Sequence, residues 1–490
     1  MAQTKLQESY HLDPDCWQTL RTQAHTMLDE TLDHIQGCRQ DLAWRPMTDA
    51  ARQGFSTDLP HASSPVENVY AEFSERIKPY TLGNIHPGFM GWVQGGGTVV
   101  GMLAEMLAGG LNANLGGRDQ SPLEVEREVV GWMRQLFCFP ETATGVFLTG
   151  SSIANFVAIL IARNQALRKV TRKIGMLETG VQLTAYTSRS VHRCVQQAMD
   201  MAGIGSSWLR KIQVVQDHRI RVDELRSAIQ NDIDKGYRPF CVIGCAGTVD
   251  TGAVDDLVSL RQIATDFGIA LHIDGAFGAL GMLSPKIRGQ LVGIESADTI
   301  AFDFHKWTQV PYDAGFLLVR DGESHLASFE NPADYLSRDP RALSAGSPWP
   351  CDLGPDLSRG FRALKTWMTL KVYGADRLGS MMENTCRVAS YLADKIRAND
   401  ELELLAPQSL NIVCFRYRCS DPDRVNSDVV AAIQRDGKTI PSSTKIDGKF
   451  AIRVAIFNHR TTVQEIDQLL EQVLHYARNP SDANSNASAA

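Results

Sequence analysis

The chain lacks any run of 18 unbroken apolar residues; its best candidate, Thr98 to Leu111, is broken by Glu105 and several glycines, so no membrane-spanning helix is expected. Met1 to Tyr10 carries Lys5 and Glu8 and has no apolar core of the secretory kind, which points to a cytoplasmic protein. An excess of basic charge is missing too. The 49 Lys and Arg against 56 Asp and Glu leave −7, and no nucleic-acid partner is expected. The ten cysteines include no CxxC pair and no histidine spacing typical of zinc, so reduced, mostly core thiols and no metal are expected. What remains is a folded chain of 490 residues, 43% hydrophobic and 21% charged, or about three domain-sized units.

Residues 13 to 36 begin with Asp13-Pro14, a capping residue and a first-turn proline, and place Trp17, Leu20, Ala24, Met27, Leu28, Leu32 and Ile35 on one stripe. Such an amphipathic helix packs either on its own domain or across a dimer contact. From Gly145 onward, short apolar runs alternate with amphipathic stretches. The runs are 145–148, 184–187, 212–215, 240–245, 269–273, 299–302 and 314–319, which predicts an α/β domain with a mostly parallel seven-stranded sheet. After a long loop rich in Pro, Gly, Ser and Asp over 331–355, a helical pattern runs from Leu357 to about Ala398 and breaks near Gly374. Strands over 409–417 and 450–457 alternate with helices over 425–435 and 463–477, predicting a small α/β domain. The expected divisions are an N-terminal helical segment at 1–65, a large domain at 66–355 with a mobile loop near 325–355, a small domain at 356–477 and a disordered tail at 478–490.

Two segments carry the chemistry. Leu271-His272-Ile273-Asp274 ends an apolar run on an acid, and an aspartate at the carboxyl end of a parallel strand lies where such sheets bind ligands. Asp303-Phe304-His305-Lys306-Trp307 places a lysine directly after the next run. A lysine that forms a Schiff base and an aspartate that keeps a pyridine nitrogen protonated are what pyridoxal phosphate requires. Thr149-Gly150-Ser151-Ser152 then opens a helix whose free N–H groups would face an anion, and Ala246 to Gly252 would edge the same crevice.

Together these motifs resemble the group II pyridoxal-phosphate-dependent amino acid decarboxylases, over roughly Tyr70 to Tyr476. His272 to Gly278 and His305-Lys306-Trp307 carry most of the resemblance; His86-Pro87, Gly247-Thr248, Phe361 to Lys365 and Asn458 to Thr462 add to it. The resemblance implies a fold-type-I enzyme and a homodimer with pyridoxal 5'-phosphate held covalently by Lys306. It implies that Asp274 pairs with the ring nitrogen and His192 stacks on the ring. Ser151, Ser152 and His305 would lie near the phosphate, with Thr248 and Ala276 beside the ring. Arg359 would meet the substrate carboxylate, and Tyr335, in the long loop, would protonate the substrate carbon.

The substrate is expected to be an L-amino acid, foremost an aromatic one. Trp92 is the aromatic anchor of the segment Trp92-Val93-Gln94, while Arg118 either faces the pocket, suiting an acidic substrate, or pairs with Asp119 at its rim. A same-fold transaminase, an aldehyde synthase and a non-enzymatic relic of the fold are the other readings.

Overall fold

A computed structural model describes residues 12–168, 170–330 and 338–485. Its strands, numbered in chain order, are β1 (Phe89–Met90), β2 (Thr144–Leu148), β3 (Leu183–Ser188), β4 (Leu209–Ile212), β5 (Arg238–Cys245), β6 (Ala270–Asp274), β7 (Thr299–Asp303), β8 (Gly315–Val319), β9 (Leu402–Leu404), β10 (Ile412–Tyr417), β11 (Ile440–Ile446) and β12 (Lys449–Ala455). The large sheet has seven strands in the order β2-β8-β7-β6-β5-β3-β4. Neighbours from β7 to β4 run parallel, and β8 alone is antiparallel to both of its partners. The apolar runs become strands because residues of both parities are buried. Val146, Leu148 and Leu317 pack under the helix Ser151–Ala166, whereas Phe147, Phe302 and Phe316 point to the other face, where Phe316 meets Phe147 edge-on and Phe302 at a tilt. Register places Cys245 and Asp274, the last residues of β5 and β6, side by side, with Ala301 of β7 next to Asp274.

Six expected strands lie where the sequence places them, and the seventh is displaced. β4 begins at Leu209 and ends at Ile212, where 212–215 was expected, because it is an edge strand that anchors only through Leu209 and Ile212; Val214 makes just an isolated bridge to Ile220. The helices Arg362–Tyr373 and Ala375–Arg397 are separated at Gly374, whose φ of +74° lies in the left-handed region. The long loop starts later than 325, since Asp321 caps a helix over Gly322–Phe329 by accepting from Ser324 N at 3.1 Å. Within the expected tail a short helix spans Pro480–Ser485.

A second sheet, β1-β11-β12-β10-β9, forms the small domain. β1 pairs parallel to β11, so residues within the expected 66–355 unit belong to the small-domain sheet. Two residues carry no periodic pattern, which hid this strand; β11 reads as polar because Ser443 and Lys445 are exposed and Thr444 bonds Asp250. The N-terminal helix spans Trp17–Gly37, beginning three residues after Pro14, and none of its residues is buried against its own chain. Among the described residues no helix is long and apolar enough to cross a membrane.

Candidate active site

A cavity of about 450 Å³ opens at the carboxyl ends of the parallel strands. It is lined by Lys306, Asp274, His192, Ser151, Ser152, Thr248, Ala276, His305 and Trp92, nine of the twelve expected site residues. Two of the others lie elsewhere, and Tyr335 falls outside the described residues.

Asp274 closes β6, fully buried, with one carboxylate oxygen accepting from Ala276 N at 3.2 Å. Burial pushes its carboxyl up, while Lys306 and His192 oppose that rise. Beneath it runs a polar chain. His272 Nε2 bonds Asn155 Oδ1 at 2.7 Å, His272 Nδ1 bonds Thr299 Oγ1 at 2.8 Å, and Asn155 Nδ2 donates to Cys194 Sγ at 3.3 Å. Burial holds His272 at about 4, hence neutral, and the Asn155 amide is among the groups that favour the ionised form of Asp274. The Cys194 thiol, pushed up to about 12 by burial, lines the cavity as a neutral group.

His192 caps the helix Arg193–Met201. Its Nδ1 accepts from Cys194 N at 3.3 Å, which fixes the ring, and burial holds it below the ordinary histidine value. Thr248 is held in its turn by Thr251 Oγ1 at 3.0 Å and by Ala253 N at 3.1 Å. His305 accepts from Ala314 N through Nδ1 at 3.0 Å and packs against Tyr312, ring centroids 4.3 Å apart. Trp92 is half-exposed at the mouth in a left-handed conformation, φ +51°, pinned from the small domain by Ser442 Oγ and Arg453 Nη1, each at 3.2 Å.

Lys306 Nζ lies 2.6 Å from Asp303 Oδ2, and Asp303 Oδ1 accepts from Ser151 N at 2.7 Å. The sequence motif assigns Asp303 no role, because nothing in the spacing tells which of two acids a lysine will meet. Asn155 and Tyr312 were likewise unassigned: one lies inside a helix, the other in a loop. Ser151 Oγ, at the N-terminus of the helix Ser151–Ala166, is buried without a hydrogen-bond partner among the described residues. An orphan hydroxyl at a helix N-terminus, a lysine between two buried acids and a neutral histidine beside them together fit a phosphorylated pyridoxal.

Two expectations are corrected. Arg359 does not reach the cavity. Its guanidinium is buried against Glu126, at 2.6 and 3.0 Å, and also donates to the carbonyls of Leu115 and Phe147. Four of its five N–H donors are thereby engaged away from the cavity. Arg118 neither faces the cavity nor sits at its rim beside Asp119 as an ion pair; it stacks on Trp349 with its guanidinium carbon 4.6 Å from the ring centroid.

Residues 49–418 match the pyridoxal-dependent decarboxylase conserved domain. The chain is 29% identical over 465 residues to the aromatic-L-amino-acid decarboxylase of Bacillus atrophaeus, covering 93% of this chain and 94% of that one. It is 29% identical over 423 residues to the L-2,4-diaminobutyrate decarboxylase of Acinetobacter baumannii, covering 83% and 81%. The fold matches that of Oryza sativa TDC, solved with PLP and tryptamine, with a TM-score of 0.89 at 23% identity over 96% of this chain and 100% of that one.

Proposed function

Because the chain belongs to the pyridoxal-dependent decarboxylase family and is a pyridoxal-phosphate-dependent amino acid decarboxylase, we propose that it converts an aromatic L-amino acid to the corresponding amine and CO2. One observation carries the choice of substrate. Among the described residues lining the cavity, Lys306, committed to the cofactor, is the only lysine or arginine, while Trp92, Phe277 and Tyr312 offer aromatic surface. An acidic substrate would bring a second carboxylate into this space without a counter-charge, which is costly; an aromatic side chain gains from burial.

When bound, pyridoxal phosphate supplies a conjugated ring that takes up the electron pair left as the bond to CO2 breaks. Lys306 anchors the cofactor through Nζ. Asp274, desolvated and held by Ala276 N–H, keeps a proton at the ring nitrogen. His192, fixed by its cap bond, would hold the ring together with Thr248 and Ala276. Ser151, Ser152 and His305 hold the phosphate. The Tyr335 hydroxyl returns a proton to the substrate carbon.

The enzyme works as a homodimer in this reading. The helix Trp17–Gly37 has no fully buried residue, its stripe Leu20, Met27, Leu28, Leu32 and Ile35 being only partly covered by its own chain, and the helix Val99–Leu111 exposes Met106, Leu107 and Leu111. Sedimentation equilibrium should give twice the chain mass.

The test of the function is release of labelled carboxyl carbon as CO2 from a panel of aromatic and acidic L-amino acids. Tyrosine, tryptophan, phenylalanine or their hydroxylated forms should turn over fastest. Faster release from glutamate, aspartate or cysteine sulfinate would overturn the aromatic reading, and transamination without CO2 would overturn decarboxylation.

A further inference from the structure

Three separate pieces of chain meet behind Lys306, and one side chain joins them. Gln309 is 1% exposed and adopts φ +61°, a conformation that L side chains disfavour. Its Oε1 accepts from Gly96 N at 2.8 Å. Its Nε2 donates to Phe457 O at 2.7 Å and Trp307 O at 3.0 Å, and more weakly to Lys306 O at 3.3 Å. Gly96 follows Trp92-Val93-Gln94, which line the cavity, and Phe457 follows β12 of the small domain. Contact at this junction is close. A Cβ on Gly95 would lie 2.4 Å from Lys306 O and 2.5 Å from His305 O, so backbone meets backbone. Phe457 in turn packs edge-on against Phe277 of the cavity wall, with centroids 5.0 Å apart.

A side-chain amide accepts from an N–H and donates to carbonyls at once; leucine does neither, and a carboxylate cannot donate. We infer that Gln309 is a positioning residue that sets the distance between Lys306 and the 92–94 wall of the cavity and ties both to the small domain. This rests on Lys306 being the cofactor lysine. Losing the amide leaves Gly96 N–H and Phe457 O without partners in a buried place, and the wall and the lysine peptide then shift relative to each other.

The experiment compares holoenzymes carrying Gln309→Leu, Gln309→Asn and Thr385→Val. Thr385 accepts from Trp307 Nε1 at 3.0 Å, and neither residue lines the cavity, so its variant reports destabilisation of the same loop. Melting temperature, the rate of pyridoxal phosphate release into a trap, and kcat and KM for the best L-amino acid are measured. Gln309→Leu is expected to release cofactor about tenfold faster and raise KM several-fold while kcat falls less. Gln309→Asn, with the amide kept but one methylene shorter, should fall between it and wild type. Thr385→Val should lower the melting temperature with release and KM within about twofold of wild type. The inference is overturned if Gln309→Leu matches Thr385→Val in cofactor release and KM. Should Gln309→Leu not fold, Gln309→Asn decides on the same comparison. Lys306→Ala separately tests the anchor: if it retains the bound-cofactor absorption band, the anchor reading fails whatever Gln309 does.

Discussion

The ammonium of Lys306 meets Asp303, at 2.6 Å, and the same carboxylate caps the helix N-terminus through Ser151 N. Burial alone would push the lysine down, but the charge and hydrogen bond of Asp303, together with the charge of Asp274, outweigh it and hold Lys306 above the ordinary lysine value. Only the unprotonated amine attacks an aldehyde. Asp303→Asn should therefore move the pH profile for capture of pyridoxal phosphate by the cofactor-free protein toward lower pH. Growth of the bound-cofactor absorption band, followed by stopped flow from neutral to alkaline pH, measures this. An unchanged profile would show that Asp303 does not control the lysine.

Arg359 and Glu126 form a buried pair with side-chain exposures of 2% and 4%. Removing one member strands the other charge, so Arg359→Met should cost about 3–5 kcal/mol, read from urea unfolding. Arg359→Met combined with Glu126→Gln should recover part of that loss. If Arg359→Met instead left stability unchanged and raised KM alone, the arginine would be a substrate contact after all.

Tyr335→Phe removes the proposed proton donor. Amine production should fall by at least about 100-fold, in keeping with loss of a general acid. The family resemblance leads us to expect aldehyde with oxygen uptake and peroxide in its place. An oxygen electrode run beside amine analysis distinguishes this from simple inactivation, and unaltered amine output would remove Tyr335 from the mechanism.

Burial holds His272, His305 and His325 at about 4, against 6.5 when unfolded. Between those values the unfolded chain binds protons that the folded one refuses. Their contribution is therefore complete above about pH 6.5 and is lost as pH falls toward 4, at about 1.4 kcal/mol per pH unit per histidine. His325, which bonds Thr144 Oγ1 and the Leu353 carbonyl, lies away from the cavity. His325→Gln should flatten the acid limb of stability against pH by one proton's worth, measured by urea midpoints. An identical slope in the two proteins would contradict the burial argument.

The sequence by itself determined the large sheet. Strands buried on both faces must read as unbroken apolar runs, so six of them were legible nearly to the residue. It also determined that Asp274 and Lys306 share a crevice, because consecutive parallel strands end at the same edge. Tertiary structure alone decided the rest. The two-residue strand Phe89–Met90 carries no period to read, and its place in the small-domain sheet depends on β11, some 350 residues later. Whether Arg359 would find a substrate or Glu126 was set by burial, and a buried cation takes the buried carboxylate that the fold supplies. The same holds for Lys306, Asp303 and Gln309: their residue types announce what bonds they can make, but which partners lie within 3 Å is a property of packed segments far apart in the chain.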